Sequence, residues 1–384
     1  MPRPATAGRF DIADIVRGHR AAIEATLSRA QKRVLTDIAQ CRTAVLGGHL
    51  DQCDACGYEH PSYNSCRNRH CPKCQALAQE EWIEQRREHL LDERHFHVVF
   101  TLPQELRPLA RFEPRLVFEA LFAAAQRTLL EFGERRLGAT IGATFVLHTW
   151  TRDLRFHPHV HAIVTGGGLS LDGQRWCPTR RRFLFPVHAM GRVFRAKMMA
   201  ELSKAHARRR FADFAPFEDP CAFPRLMHTL SKLSWNVYAK PSFRKAGHVL
   251  NYLGRYTHRV GLANSRLLRV TEHAVTFRTR GSASVTLAPE DFLRRFVQHV
   301  LPTGFHKIRH VGLYASACAG KLAVARRCLG AEPPLLPRPT WAQRLQTLLG
   351  RDVQRCPRCL APLRTAILPR SRDPPVLADR TLYA

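Results

Sequence analysis

The chain has 384 residues, of which 45% are apolar, enough for two or three domains with a sizeable core and too many for a wholly disordered chain. Its 60 lysine and arginine residues against 31 acidic ones give a net charge of +29, so nucleic acid is the expected partner. No apolar run approaches the roughly 18 residues of a membrane span, and the first residues do not resemble a signal peptide. We therefore expect a protein that remains where it is made, away from membranes.

The first predicted elements are helical and surround a short cysteine-rich segment. Apolar residues from Ile12 to Ile38 recur with the spacing of one helical face. The segment from Cys53 to Cys74 is too small to have a core of its own. Residues 75–91 are predicted to form a helix that leaves this segment.

Strands and long helices then alternate. Strands are predicted at 97–102, 144–150, 160–165, 266–278 and 283–288, and helices at 114–137, 190–212, 243–259 and 289–300. The third strand is expected to end at Gly166, and residues 333–339 to form a proline-rich linker before a short helix and tail. This order favours an α+β fold with helices on one face of a sheet. The predicted divisions are 1–91, 92–315 and 316–384.

Two CxxC pairs in the cysteine-rich segment have the spacing of a zinc ribbon. Cys53 and Cys56 form one pair and Cys71 and Cys74 the other, and each can bind a metal from one tight turn. We predict that these four thiolates hold one structural zinc ion, which supplies folding energy that the segment lacks.

The loop between the two pairs contains further candidates. Cys66, His60 and His70 lie in it and could replace a cysteine or flank the metal. Arg67 and Arg69 make the loop basic and are predicted to contact DNA phosphates. The alternative is a zinc site that only stabilises the neighbouring parts of the fold and does not contact DNA.

A third CxxC pair lies near the end of the sequence. Cys356 and Cys359 have no second pair after them, so a further metal would need ligands from elsewhere, such as Cys318 or Cys328. A metal-free remnant is an equal alternative, and the role of this end stays open.

A histidine-rich strand is the first candidate catalytic element. His159 and His161 alternate with Val160, so both imidazoles leave the same face of a strand and can bind one divalent ion. His148 on the preceding strand, or His157, could add a third ligand. The pair formed by His95 and His97 is interpreted as a chance occurrence of the same spacing.

Two tyrosines form the second candidate catalytic element. Tyr252 and Tyr256 stand four residues apart in a predicted helix, so their phenols emerge on one face. Arg255 and Arg259 accompany them and are predicted to contact DNA, and positive charge helps a phenol to act as a nucleophile. Taken alone, the two tyrosines are better explained by packing against the sheet, whereas together with the histidine strand a catalytic role is favoured.

The order of these motifs resembles a known family. The stretches CRNRHCPKC, HPHVHAIVTGGG and NYLGRYTHR stand in the order found in the two-tyrosine HUH transposases of rolling-circle insertion sequences, the ninety-one-type family. Matching stretches extend over about residues 40–315. The resemblance includes the family's N-terminal zinc-binding domain.

The resemblance implies a relaxase-like antiparallel sheet that carries the histidines, with the tyrosine helix laid across it. It implies that Tyr252 and Tyr256 are nucleophiles and that His159 and His161 bind Mg²⁺ or Mn²⁺; the third ligand is not fixed, and we favour His148. The implied partner is single-stranded DNA at element ends and target sites in the bacterial cytoplasm. The sequence has no GxxxxGK[ST] motif, so strand separation is expected to come from elsewhere, with a host helicase as a candidate.

Two other functions fit parts of the same sequence. A zinc-dependent DNA-binding regulator would use the cysteines and the charge but not the histidines and tyrosines together. A plasmid replication initiator or relaxase would use the same chemistry in a different process.

Overall fold

A computed structural model describes residues 10–180, 184–243, 254, 261–331 and 339–371. The helices among them are α1 Ile12–His19, α2 Arg29–Gln40, α3 Gln75–Arg87, α4 Arg107–Phe112, α5 Pro114–Leu137, α6 Val187–Ala207, α7 Ala222–Lys232, α8 Pro289–Val297, α9 Ala319–Cys328 and α10 Trp341–Leu349. The strands are β1 Gly48–Gln52, β2 Glu59–Tyr63, β3 His95–Thr101, β4 Ala139–Trp150, β5 Phe156–Ser170, β6 Trp176–Pro178, β7 Val237–Phe243, β8 Leu267–Val270, β9 Val275–Arg278, β10 Ser284–Leu287, β11 Ile308–Gly312 and β12 Arg364–Leu368. Within these ranges no helix has the length and apolarity needed to cross a bilayer.

The largest sheet has the order β11-β4-β5-β3-β7, with β6 added beside β5, and its pairings are antiparallel. Alternate residues of β3, β4 and β5, such as Phe100, Phe145 and Val160, face α5 and α6 in the main core. The predicted α+β class with an antiparallel sheet is confirmed.

The predicted helix at 114–137 has the same limits in the structure. Proline at its first position and Gly138 in the left-handed conformation, with φ of 63° at the C-cap, explain both ends. The strand predicted to end at Gly166, however, continues to Ser170. A Cβ on Gly166 would lie 2.6 Å from the Arg94 carbonyl oxygen, and one on Gly168 would lie 2.7 Å from that of Thr140. The glycines therefore permit close strand packing rather than ending the strand.

The helical segment predicted from Ile12 to Ile38 is divided into two helices. Helix α1 ends at His19, a 3₁₀ segment covers Arg20–Thr26, and a capping box between Ser28 and Gln31 starts α2. Both helices pack with α8 and with the sheet of order β10-β9-β8 in a second core. This core joins residues from the first two predicted divisions.

A third sheet joins the two ends of the described chain. Strand β12 pairs antiparallel with β1, from Gly48 opposite Leu368 to Gln52 opposite Arg364, and β1 also pairs with β2. The last predicted division, 316–384, therefore contacts the first through backbone pairing.

Candidate metal centres

Three histidines meet on the face of the large sheet opposite α5 and α6. His148 on β4 stands directly across from His159 on β5, and His161 follows at the next position on the same face. One ring nitrogen from each lies within 4.8 Å of the others, as in a set of ligands for one cation. The sequence predicts His159 and His161 on one face and favours His148 as the third member, and the structure brings these three histidines together.

Hydrogen bonds orient the imidazoles. The Nδ1 of His159 donates to the carbonyl oxygen of His157 over 2.7 Å, which leaves the lone pair of Nε2 available. The Nδ1 of His161 lies 2.8 Å from Nε2 of His97. Burial lowers the pKa of His159 to about 4 and that of His161 well below its ordinary value. Both rings are therefore neutral near pH 7, the form that binds metal.

The neighbouring histidines have other roles. His157 receives a hydrogen bond at Nδ1 from Arg107 over 2.8 Å and lies outside the three-histidine cluster. His97, interpreted from the sequence as part of a chance pair, stacks on His161 with ring centroids 5.0 Å apart. Only the pairing of β3 with β5 reveals this contact, because the two histidines stand far apart in the sequence.

The first of two cysteine clusters contains Cys41, Cys66, Cys71 and Cys74, whose sulfur atoms lie within 4.8 Å of one another. Two of the distances are 3.3 Å, between Cys41 and Cys74, and 3.6 Å, between Cys66 and Cys74. The hydrogen bond with Cys66 lowers the pKa of Cys41 to about 7. Tetrahedral thiolate coordination of zinc needs this kind of spacing.

The second cluster contains Cys53, Cys56, Cys356 and Cys359. The predicted single set of Cys53, Cys56, Cys71 and Cys74 is therefore wrong, because its two pairs belong to different clusters. Cys53 and Cys56 stand at the turn between β1 and β2, beside the C-terminal strand β12. Cys74 is the N-cap of α3, and Cys41 is the C-cap of α2.

The basic loop next to the first cluster is partly structural. Arg69 donates to the carbonyl oxygens of Phe305 over 2.5 Å and Pro302 over 2.9 Å, so its guanidinium anchors the loop, in contrast to the predicted DNA contact. His70 accepts from the backbone N–H of Leu301 over 3.1 Å and stands outside both cysteine clusters. Arg67 is exposed and remains a candidate for DNA contact.

Helix α3 connects the first cysteine cluster to the histidine face. It starts immediately after Cys74, and its Trp82 packs with Val146 and Ile163. Val146 and Ile163 lie on the same sheet face as His148 and His161. The cluster that fixes the start of α3 thus positions a helix that covers part of the histidine face.

The predicted nucleophiles Tyr252 and Tyr256, together with Arg255 and Arg259, lie outside the described residues. Gly254, which stands between the tyrosines in the sequence, is described and helical. A Cβ on Gly254 would lie 2.4 Å from Cδ1 and 2.9 Å from Cγ1 of Ile83 on α3, so the Gly254 backbone packs tightly against the Ile83 side chain. Ile83 is buried, which leaves its side chain little room to move.

This contact predicts that Gly254→Ala has opposite effects on stability in the wild type and in an Ile83→Ala background. Gly254→Ala alone should destabilise the protein by about 1–3 kcal/mol, because the added methyl overfills a packed contact. In an Ile83→Ala background the same change should stabilise it by about 0.5–1 kcal/mol, because alanine favours helix more than glycine does. Denaturant unfolding of the four proteins tests this; equal effects of Gly254→Ala in both backgrounds would contradict the contact.

Comparison with known proteins identifies the family. A family model described as "Transposase zinc-binding domain" matches residues 15–102, and one described as "Putative transposase" matches residues 142–321. The chain is 42% identical over 369 residues to "Putative transposase y4qJ" of Sinorhizobium fredii (strain NBRC 101917 / NGR234), covering 91% of this chain and 92% of that protein. It is 30% identical over 351 residues to "Transposase for insertion sequence element IS801" of Pseudomonas savastanoi pv. phaseolicola, covering 88% and 83%. The chain belongs to the IS91-type transposases.

This membership confirms the family that the sequence resembles. As an IS91-type transposase, the protein acts on DNA and contains a zinc-binding domain, and the first cysteine cluster lies wholly within the matched residues 15–102. The three clustered histidines lie within the matched residues 142–321. No solved structure matches the chain.

Proposed function

We propose that this IS91-type transposase cleaves and rejoins single-stranded DNA through 5′-phosphotyrosine intermediates. Tyr252 and Tyr256 are the nucleophiles, and His148, His159 and His161 hold a divalent ion. The observation that carries the proposal is the convergence of three imidazoles from adjacent strands within 4.8 Å. Such a set has little use in a protein that only binds DNA.

The fit of a divalent ion rests on the donor set. The imidazoles of His159 and His161 are kept neutral by burial, and a hydrogen bond fixes the orientation of each. Mn²⁺ belongs to the first-row divalent metals that bind sites with nitrogen ligands, whereas Mg²⁺ gives up its waters reluctantly and uses oxygen ligands, so we expect Mn²⁺ to support activity at lower concentration. When bound, the ion acts as a Lewis acid on the scissile phosphate.

The covalent step belongs to the tyrosines. The phenol gives up its proton and its oxygen forms a bond to phosphorus, the bond from phosphorus to the 3′ oxygen breaks, and that oxygen takes up one proton and leaves as a free 3′-hydroxyl. The ester on tyrosine keeps the energy of the broken phosphodiester, so rejoining needs no ATP. Gly254, between the two tyrosines in the sequence, approaches α3, which covers part of the histidine face; this contact supports a tyrosine segment near that face.

Charge supports a nucleic-acid substrate. A net charge of +29 favours binding of DNA phosphates with release of counterions. Covalent capture of one strand at a time requires an accessible single strand. A host helicase is the candidate source of strand separation.

A denaturing gel tests the proposal. The transposase is incubated with labelled single-stranded DNA from an element end and Mn²⁺, and a protein–DNA adduct should appear. Tyr252→Phe and Tyr256→Phe together should abolish it, while Tyr58→Phe, in the small N-terminal sheet region, should not. Salt-sensitive binding without an adduct in Mn²⁺ or Mg²⁺ would contradict the proposal and favour a DNA-binding regulator.

His97 is predicted to raise the affinity of the histidine cluster for metal by orienting the imidazole of His161. His97→Ala removes the partner of the His161 Nδ1 and should weaken Mn²⁺ binding by about 10–100-fold, as losses of outer ligand-orienting groups do. Calorimetric titration with Mn²⁺ measures this, and His97→Gln, which keeps a hydrogen-bonding group, should recover part of the affinity. An unchanged affinity in His97→Ala would remove the positioning role.

A further inference from the structure

The second cysteine cluster has the geometry of a metal site. Sulfur–sulfur distances are 3.4 Å between Cys53 and Cys359 and 3.6 Å between Cys56 and Cys356. Zinc–sulfur bonds of about 2.3 Å in a tetrahedron separate the sulfur atoms by about 3.8 Å. The observed distances are near this value and far from the roughly 2 Å of a disulfide. None of the four cysteines forms a disulfide bond.

The N-terminal pair lies in a tight turn. The N–H of Gly57 donates to the carbonyl oxygen of Cys53 over 2.9 Å, and the N–H of Cys53 donates to the carbonyl oxygen of Tyr58 over 2.9 Å. Gly57 adopts the left-handed conformation with φ of 68°. These bonds bring both thiols of the pair to one side of the turn.

The C-terminal pair repeats this pattern. The N–H of Leu360 donates to the carbonyl oxygen of Cys356 over 3.0 Å, and the N–H of Cys356 donates to that of Ala361 over 2.8 Å. Leu360 takes the left-handed conformation, with φ of 63°, at the position that Gly57 takes in the first turn. This conformation is sterically unfavourable for leucine, so the contacts around the turn must hold Leu360 in it. The N–H of Arg358 also donates to the sulfur of Cys356, as expected for a thiolate.

Strand pairing brings the two turns together. Strands β1 and β2 lead into and out of the first turn, and β12 follows the second turn and pairs with β1. Thr365 donates to Asp51 over 2.9 Å beside this junction. The matched residues 15–102 contain Cys53 and Cys56, but neither family match reaches Cys356 or Cys359.

We propose that Cys53, Cys56, Cys356 and Cys359 hold a second structural zinc ion that fastens the C-terminal segment, residues 339–371, to the N-terminal module, residues 10–91. The site is a zinc ribbon assembled from both ends of the chain. It is distinct from the cluster of Cys41, Cys66, Cys71 and Cys74, and it does not depend on the proposed tyrosine chemistry.

The ribbon has a structural consequence for α3. Arg344 on α10, within the same C-terminal segment, contacts Glu84 over 2.8 Å and Glu81 over 3.6 Å on α3. Helix α10 therefore braces α3, which covers part of the histidine face. The ribbon in turn holds α10 in place, because both belong to the C-terminal segment. Loss of the second zinc should therefore free α10 as well as β12.

Zinc content tests the site. Elemental analysis of the purified full chain should find two zinc ions, one for each cysteine cluster, and the double variant Cys356→Ser, Cys359→Ser should retain half as much. The matched control Cys318→Ser, Cys328→Ser changes two cysteines outside the clusters and should retain both ions. Equal zinc in wild type and the Cys356, Cys359 variant would overturn the proposal.

Cleavage of the connecting chain tests the fastening. A protease recognition sequence is placed within residues 332–338 of the full chain, and the cut protein is examined by gel filtration. The C-terminal piece should stay bound in the zinc-loaded protein and separate in the Cys356→Ser, Cys359→Ser variant. Separation in the zinc-loaded protein, or retention in the variant, would contradict a zinc-dependent fastening.

Discussion

Replacement of His161 by alanine should reduce strand cleavage by about a thousandfold or more. The change removes one of the three proposed ligands from the histidine cluster and also the hydrogen-bond partner of His97. A Lewis-acid ion contributes several kcal/mol to stabilisation of a phosphoryl transition state, and each 1.4 kcal/mol corresponds to a factor of ten in rate. Binding of Mn²⁺ should weaken in parallel.

The measurement is single-turnover cleavage of labelled single-stranded element-end DNA, with Mn²⁺ titrated in a separate experiment. His228→Ala is the matched control, since His228 is exposed on α7 and outside the histidine cluster. We expect DNA binding at low salt to persist in His161→Ala, because it depends on the overall positive charge. Cleavage at the wild-type rate in His161→Ala would exclude a catalytic role for the cluster.

Replacement of Cys71 by serine should cost the N-terminal module several kcal/mol of unfolding free energy. Cys71 is fully buried in the first cysteine cluster, and a hydroxyl is a poor substitute for a thiolate ligand. Structural zinc binds isolated zinc-finger peptides with about 10–16 kcal/mol, whereas whole domains are stable by only about 5–15 kcal/mol. Loss of one ligand should therefore unfold the start of α3 and expose the histidine face.

Thermal unfolding and zinc content check this prediction together. Cys71→Ser should lose one zinc ion and melt at a markedly lower temperature. Cys221→Ser, at an exposed cysteine outside both clusters, should match the wild type in both measurements. Wild-type zinc content and melting in Cys71→Ser would contradict zinc binding at this cluster.

The sequence predicts which residue types bind metal but not which of these residues lie together. CxxC spacing reveals pairs that share a turn, and it predicts one site from Cys53, Cys56, Cys71 and Cys74 because they are neighbours in the sequence. The actual partner of Cys53 is Cys359, 306 positions away, and it arrives only because β12 pairs with β1. Local spacing carries no information on such long-range strand pairing.

The histidine face shows the same limit. Period-two alternation placed His159 and His161 on one face because that rule is local to a strand. The contact between His97 and His161 depends on β3 lying beside β5 in the sheet order, which no local pattern encodes. Helix α5 could be predicted to the residue because proline and glycine mark its two ends.

The most direct test of the proposed strand transfer is the identity of the residue that carries DNA after cleavage. Trypsin cuts after Lys245, Arg255 and Arg259, so Tyr252 and Tyr256 fall in separate peptides, 246–255 and 256–259. After reaction with Mn²⁺ and nuclease trimming, mass spectrometry should find a nucleotide on one or both peptides in wild type and on neither in His161→Ala. A nucleotide on any other peptide, or cleavage without a covalent adduct, would contradict the two-tyrosine account.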